Sequence, residues 1–377
     1  MASPRASFKS FDQSLEDPLL TNLPTEHDDE GQLSGFAYIS AIKKVLGLGF
    51  WVILATVFHP LYMVTSSIVT GRMGTDQLAG FGLGSLTTGI CAISIALAFN
   101  GGMMTYCTQS AGANDFRQVI VYRNRAIFLN TVLFVVLGFP MVWIEQIYLY
   151  IGQDPGVALY AATYVQIVFP SVYFYFIFQV LAFYCTALKL YEIPVISIAL
   201  ASFVHLVLTY VLCVNYDWGF EGVCWATFWH FFTRLLCNVV MMMCSSRMPQ
   251  VTDVRLFSTE TINNLGSLFY ICLTACAMTV WTSWAFDILT LMASYLGPEL
   301  TAAQTIMRTV NMLSFTIPIG FQIVCALLVG TSVGEGRQDY AISYYKISVT
   351  VSLICGIFTI IFLIMNKDWI ISLYTTD

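Results

Sequence analysis

Apolar residues in this chain come in long runs. They do not alternate as in strands, nor fall on one face as in surface helices. Nine runs reach the roughly 20 mostly apolar residues that a helix needs to cross a bilayer. They cover 46–70, 79–107, 120–142, 157–187, 193–213, 220–244, 265–292, 300–331 and 343–365. The fourth and eighth are long enough to tilt or to project past the hydrocarbon. Pro60, Pro170 and Pro318 lie inside the first, fourth and eighth runs. Each removes a helical hydrogen bond and predicts a kink. Neighbouring helices can satisfy the freed carbonyls, so a kink at Pro60 or Pro318 is as much plain structure as hinge. The pattern predicts an all-α integral membrane protein, a polytopic helical bundle.

Polar stretches between the runs carry the orientation signal. Lys43 and Lys44 precede the first run; Arg117, Arg123 and Arg125 lie near the second loop. Lys189 is in the fourth loop, Arg247 and Arg255 in the sixth, and Arg337 and Lys346 around the eighth. The alternate loops hold only Arg72 and Lys367. Basic loops stay on the cytoplasmic side, so a cytoplasmic N-terminus is expected. Residues 1–44 form a polar tail with an acidic "EHDDE" patch at 26–30, and that composition predicts disorder.

Composition sharpens the class. The 377 residues are 58% hydrophobic and 10% charged, against about 25% charged in soluble domains. The net charge of −6 gives no basic footprint for nucleic acid. Most of the 11 cysteines sit in apolar runs without zinc spacing, and they read as small buried side chains. Cys213 and Cys224 flank one loop and could bridge. No P-loop, HExxH or GxSxG motif occurs, so neither an enzyme nor a pump driven by ATP in cis is expected.

Three landmarks recur. "RMGTDQLAG" (72–80) resembles "YLGPELTAA" (295–303), with glycines 223 apart (297 minus 74). "QSAGANDF" (109–116) resembles "TSVGEGRQ" (331–338), with glycines 222 apart (334 minus 112). "IGQD" (151–154) matches "YTTD" (374–377), again 223 apart (377 minus 154). Both units start on the same side, so the repeat is parallel, with its axis along the membrane normal. Such repeats mark transporters, with the substrate path between the halves. The division expected is a tail over 1–44, a six-helix lobe over 45–245, a cytoplasmic linker over 246–264 and a partial second lobe over 265–377. The second unit ends three helices earlier than the first. The chain is therefore expected to be C-terminally incomplete, a fragment or truncated form, and to transport weakly or not at all by itself.

Charge inside the runs marks candidate chemistry. From Thr261 to Pro298 the only charged side chain is Asp287. A charge at bilayer depth costs roughly 2.5–3.5 kcal/mol even on mild scales, and such residues are functional by default. Asp287 is expected to bind a coupling ion or a cationic substrate; the alternative is a structural acid paired across helices. Gln304, Arg308 and Asn311 fall at i, i+4 and i+7 on one helix face. They are expected either to line a cavity, with Arg308 as counter-ion to Asp287, or to hold helices together. Thr227, His230 and Arg234 make a similar stripe, read as helix contacts, and His59 reads as a packing histidine. Trp284 is the aromatic candidate for a cationic solute.

Several stretches resemble the multidrug and toxic compound extrusion (MATE) family, its eukaryotic branch above all. They are "PLYMVTSSIVTGRMGTDQLAG", "TYCTQSAGAND", "GFEGVCWAT", "WAFDIL" and "IPIGFQIVCALLVGTSVGEG", and the resemblance covers roughly 45–377. It implies two six-helix lobes that exchange protons or sodium for organic cations, drugs or other metabolites. A Glu-Trp-Trp-x-x-Glu-like motif of eukaryotic members aligns with Thr282-Ser283-Trp284-Ala285-Phe286-Asp287, where the second acid is kept and the first is Thr282. Thr282, Ser283 and Trp284 are thereby implied to line the cavity. Ser66 stands where bacterial members carry an aspartate, and Thr309 near a glutamate of some animal members. No cofactor beyond H+ or Na+ as coupling ion is implied. The partners expected are a small organic solute and membrane lipids, with no nucleic acid, and the complete protein is expected to be monomeric in a plasma or vacuolar/vesicular membrane. Two alternatives stand: a lipid flippase of related architecture, and a truncated, non-transporting membrane partner protein.

Overall fold

The computed structural model of the chain describes residues 35–248, 261, 265–367 and 369. Span one is α1 (Gly35–Phe58) and α2 (Leu61–Met73). Span two is α3 (Thr75–Thr88), a π-helical turn at Gly89–Ile93, and α4 (Ser94–Gly112). Span three is α5 (Phe116–Gly138), a 3-10 turn at Phe139–Trp143, and α6 (Ile144–Tyr150). Span four is α7 (Pro155–Ala187). Span five is α8 (Glu192–Tyr210) with a π-helical turn at Val211–Asn215, and span six is α9 (Gly219–Cys244). Spans seven to nine are α10 (Leu265–Ser294), α11 (Pro298–Gly334) and α12 (Gln338–Met365). Eight helices are long and apolar enough to cross a membrane among the described residues, or up to nine if α10 counts as one. α10 is bent by 49° between Leu265–Trp281 and Trp284–Ser294.

Three sequence expectations change here. The disordered tail expected over 1–44 gives way to helix at Gly35. Ala41, Val45, Leu48 and Val52 are all buried, at the i, i+4, i+7, i+11 spacing of one helical stripe. That stripe packs on α11 and α12. Hydropathy misses it because Lys43 and Lys44 interrupt the apolar run. Pro60 does separate α1 from α2, whereas α11 runs unbroken through Pro318 and α7 through Pro170. Cys213 and Cys224 are both free thiols. Most of the expected linker, and the "YTTD" landmark, lie outside the described residues.

The first two landmarks of the repeat are visible in the backbone. Gly74 and Gly297 both have left-handed φ, 152° and 119°, and each caps the start of the next helix. Asn114 and Gly336, 222 apart (336 minus 114), also share positive φ, 58° and 76°. Only glycine, and less often asparagine, takes that conformation at low cost. The change of offset from 223 to 222 has a location. Span two carries a π-helical turn at Gly89–Ile93, and the matching stretch of span eight is regular α-helix. A π turn is a one-residue insertion that the helix absorbs.

One large core joins spans one to five and seven to nine at the end of the bundle bearing Lys44, Lys189 and Arg337, here the basic end. A second core fills the first half near the opposite end, around Phe81, Tyr164, Tyr175 and Phe231. The surface is apolar: α12 exposes Leu353, Phe358, Phe362 and Ile364 along its length. Side chains of this kind suit contact with lipid tails.

Candidate functional site

Span two meets spans seven and eight at a buried ion pair. Arg308 Nε donates to Asp287 Oδ1 at 2.7 Å, and both residues are about 5–6% exposed. Arg308 Nη1 reaches Ser85 Oγ at 3.4 Å. Gly89, the first residue of the π turn, leaves room for the pair. A Cβ there would lie 3.0 Å from Arg308 Nη2 and 4.0 Å from Asp287 Oδ2. The π turn of the first half thus faces a charge pair of the second half, and Arg308 of that pair reaches back to Ser85. Removing two charges from water is costly and is offset only by close geometry and further hydrogen bonds. Here the third partner is a serine from the other half.

Ser85 and Arg308 are equivalent positions of the repeat, 223 residues apart. A residue that touches its own repeat mate must lie close to the pseudo-twofold axis. Two more pairs behave this way. A Cβ on Gly82 would collide with Thr305, and one on Gly330 with Thr108. Around the latter pair the contacts are reciprocal: Gly112 abuts the Thr331 carbonyl, and Gly334 abuts the Gln109 carbonyl. The axis therefore runs between spans two and eight. At 1.5 Å per residue, Ser85 and Thr108 are about 35 Å apart along span two, close to the thickness of the hydrocarbon. The two spans touch at both levels.

The sequence candidates fall out as follows. Asp287 and Arg308 come together, as both the counter-ion reading and the structural-pair alternative expected. Gln304 and Asn311 flank Arg308 on the same helix and are half-buried. Trp284 is half-buried, its indole N–H has no hydrogen-bond partner, and its ring meets Trp281 at 5.8 Å. Phe286 packs edge-on to Phe315 across spans seven and eight, 5.3 Å between centroids. Thr282 and Ser283 lie in α10, one turn before Asp287, and their side chains lie outside the described residues. Pro318 follows Arg308 on the same helix, and Pro60 lies at the break in span one. Ser85 and Gly89 are additions that no charge or motif announced. The signal that pointed to their neighbourhood was the one-residue change in repeat offset.

A second polar cluster lies inside the first half. Arg234 Nη1 and His59 Nδ1 are 2.8 Å apart. The guanidinium also lies 4.0 Å from the Phe178 ring centroid and 5.4 Å from that of Tyr175. Tyr62 stacks on His230 at 4.8 Å and meets His205 edge-on at 6.0 Å. His205 Nε2 lies 3.4 Å from Ser66 Oγ and 3.5 Å from Thr227 Oγ1. The stripe of Thr227, His230 and Arg234 thus does join helices, and His59 packs on Tyr175 with its ring nitrogen satisfied by Arg234.

Comparison with known proteins agrees with this architecture. A family model described as MatE matches residues 52–211 and 274–377. Uncharacterized transporter C323.07c of Schizosaccharomyces pombe is 26% identical over 91% of this chain and 64% of its own length. Protein DETOXIFICATION 36 of Arabidopsis thaliana is 24% identical over 97% of this chain and 75% of its own. The chain thus spans under two thirds of the fission yeast relative. Among solved structures, the eukaryotic MATE transporter AtDTX14 superposes with a TM-score of 0.75 at 19% identity, over 83% of this chain and 70% of that one.

Proposed function

This chain belongs to the MatE family, and we propose that it serves as a secondary antiporter that exports organic cations, drugs or metabolites against a proton or sodium gradient. The observation that carries this reading is the buried Asp287–Arg308 pair at the repeat axis. In the empty state Arg308 neutralises Asp287. A proton, a sodium ion or a cationic solute competes with the guanidinium for the carboxylate. Its arrival releases Arg308 from span seven and loosens the contact of span eight with Ser85. The two halves then rock about the axis, which is the general mode of repeat transporters. Trp284, Phe286 and Phe315 supply aromatic surface beside the acid for a planar or quaternary cation. The basic end is taken as cytoplasmic on the positive-inside rule.

The test is efflux of a fluorescent organic cation from proteoliposomes under an imposed proton gradient, then under a sodium gradient, for wild type and Asp287→Asn. Gradient-driven efflux that Asp287→Asn uncouples supports the reading. Unchanged coupling in that variant removes Asp287 from the mechanism, and efflux under neither gradient, in this chain and in a version extended to the length of its relatives, sinks the antiport reading.

One observation favours lipid movement instead. At the basic end a cavity of about 80 Å³ is lined by Lys44, Lys189 and Arg337, with Glu335 as its acid. Cationic lining suits an anionic headgroup. Accelerated flipping of a labelled anionic lipid in the same vesicles, without cation efflux, would favour that reading.

A further inference from the structure

The interior of the first half holds a fixed positive charge that no acid balances among the described residues. Arg234 is 3% exposed, and no carboxylate pairs with it among the described residues. Every acid between residues 45 and 245 lies in a loop or in the first turn of a helix: Asp76, Asp115, Glu145, Asp154, Glu192, Asp217 and Glu221. A guanidinium cannot shed its proton to escape burial, as a lysine or carboxyl can. His59 Nδ1, which receives its Nη1, is a neutral acceptor and cancels no charge.

Polar atoms around this charge are left unused, among them the Arg234 Nε–H, the Asn238 amide N–H groups and a ring N–H. Arg234 Nε, His205 Nδ1 and both side-chain atoms of Asn238 are buried without a hydrogen-bond partner, and the His230 ring has only a backbone contact at Ala201. These residues are at most 3% exposed. Arg234, His230 and Asn238 occupy one face of α9 at i, i−4 and i+4. His205 reaches the same face from α8, its ring 5.7 Å from that of His230. Buried polar groups are nearly always partnered, so a set of orphans around one charge points to something they bind. A cation would be repelled by the guanidinium. Water would satisfy the N–H groups and leave the charge unbalanced, whereas an anion does both.

We infer that the first half contains a binding site for a monoanion, formed by Arg234 with His205, His230 and Asn238. The anion is either a small inorganic ion such as chloride or the carboxylate of an organic solute. It supplies the missing counter-charge and accepts from the idle N–H groups, as charge-assisted bonds in dry surroundings favour. The site is separate from the Asp287–Arg308 pair: one half takes an anion in its interior while the axis holds a neutral pair. It does not depend on the antiport reading, because binding is measured without transport.

The experiment is equilibrium binding of radioactive chloride to the full chain in detergent, with unlabelled acetate and nitrate as competitors. Saturable binding near one ion per chain is expected. Competition by nitrate alone assigns a small inorganic ion; competition by acetate as well assigns a carboxylate-accepting site. Arg234→Gln should abolish binding. His230→Phe keeps the stack on Tyr62, and Asn238→Leu keeps the shape; each should weaken binding about tenfold while the protein still elutes as one species. These two variants decide the matter should Arg234→Gln fail to fold. Absence of saturable chloride binding in wild type, or binding undiminished in the His230 and Asn238 variants, overturns the proposal.

Discussion

Arg308 touches Ser85, the residue that occupies its own place in the other half of the repeat, at 3.4 Å. One half thus supplies a serine where the other supplies a cation, and the acid that balances the cation comes from span seven. The asymmetry sits on the axis, where any relative motion of the halves must pass.

Breaking this pair from one side should cost more than removing it whole. Arg308→Met leaves Asp287 buried without a counter-charge, an expected loss of about 3–5 kcal/mol. Asp287→Leu with Arg308→Met replaces the pair by apolar groups and should recover most of that loss. Unfolding of the detergent-solubilised chain, followed by tryptophan fluorescence, gives the double-mutant cycle. Simple additivity of the two changes would mean that the residues are not coupled.

Gly89 should be limited by size rather than by backbone conformation. Its φ is −63°, ordinary for any residue. An alanine Cβ would stand 3.0 Å from Arg308 Nη2, the mobile end of a long side chain that can give way. Gly89→Ala is expected to cost under about 1 kcal/mol. Gly89→Val adds branches toward the pair and should cost about 1–3 kcal/mol, the range of overpacking. Equal melting temperatures for the two variants would contradict the account.

Adjacent glycines should behave in opposite ways. A Cβ on Gly102 would lie 2.6 Å from Cys272 Cα and 2.8 Å from the Ile271 carbonyl oxygen, both backbone atoms of span seven. A Cβ on Gly101 would meet nothing within 4 Å. Gly102→Ala is therefore expected to push spans two and seven apart and to destabilise by at least about 1–3 kcal/mol. Gly101→Ala should stabilise by up to about 1 kcal/mol, because alanine is the better helix former. Thermal melts of the two variants check the sign as well as the size.

Apolar runs announced the spans because a bilayer demands about 20 such residues in a row. The repeat was legible because Gly74 and Gly297 serve a backbone shape that few residues can take. Asp287 and Arg308 were legible because charge at membrane depth is costly. Ser85 and Gly89 were not, since small neutral residues in a membrane helix carry no such penalty. The contact between His59 and Arg234 joins residues 175 apart in sequence, and no periodicity within one helix reports on it. The start of α1 escaped because a helix that leaves the bilayer loses its hydrophobic signature while keeping its packing stripe.

The break at Pro60 supports a last prediction. Pro60 has no N–H, so the helix of span one stops at Phe58 and resumes at Leu61. The Phe58 carbonyl instead accepts from the Ser202 hydroxyl of span five, at 3.0 Å. Ser202→Ala should therefore leave the part-buried Phe58 carbonyl without that donor and cost about 1–2 kcal/mol. Pro60→Ala allows α1 and α2 to join as one helix, in which the Tyr62 amide can serve Phe58. In that background Ser202→Ala should cost less, by about 1 kcal/mol. The four melts of this cycle separate the two roles of the serine. A Ser202→Ala penalty that is the same with and without Pro60 would show that the hydroxyl does not answer the break.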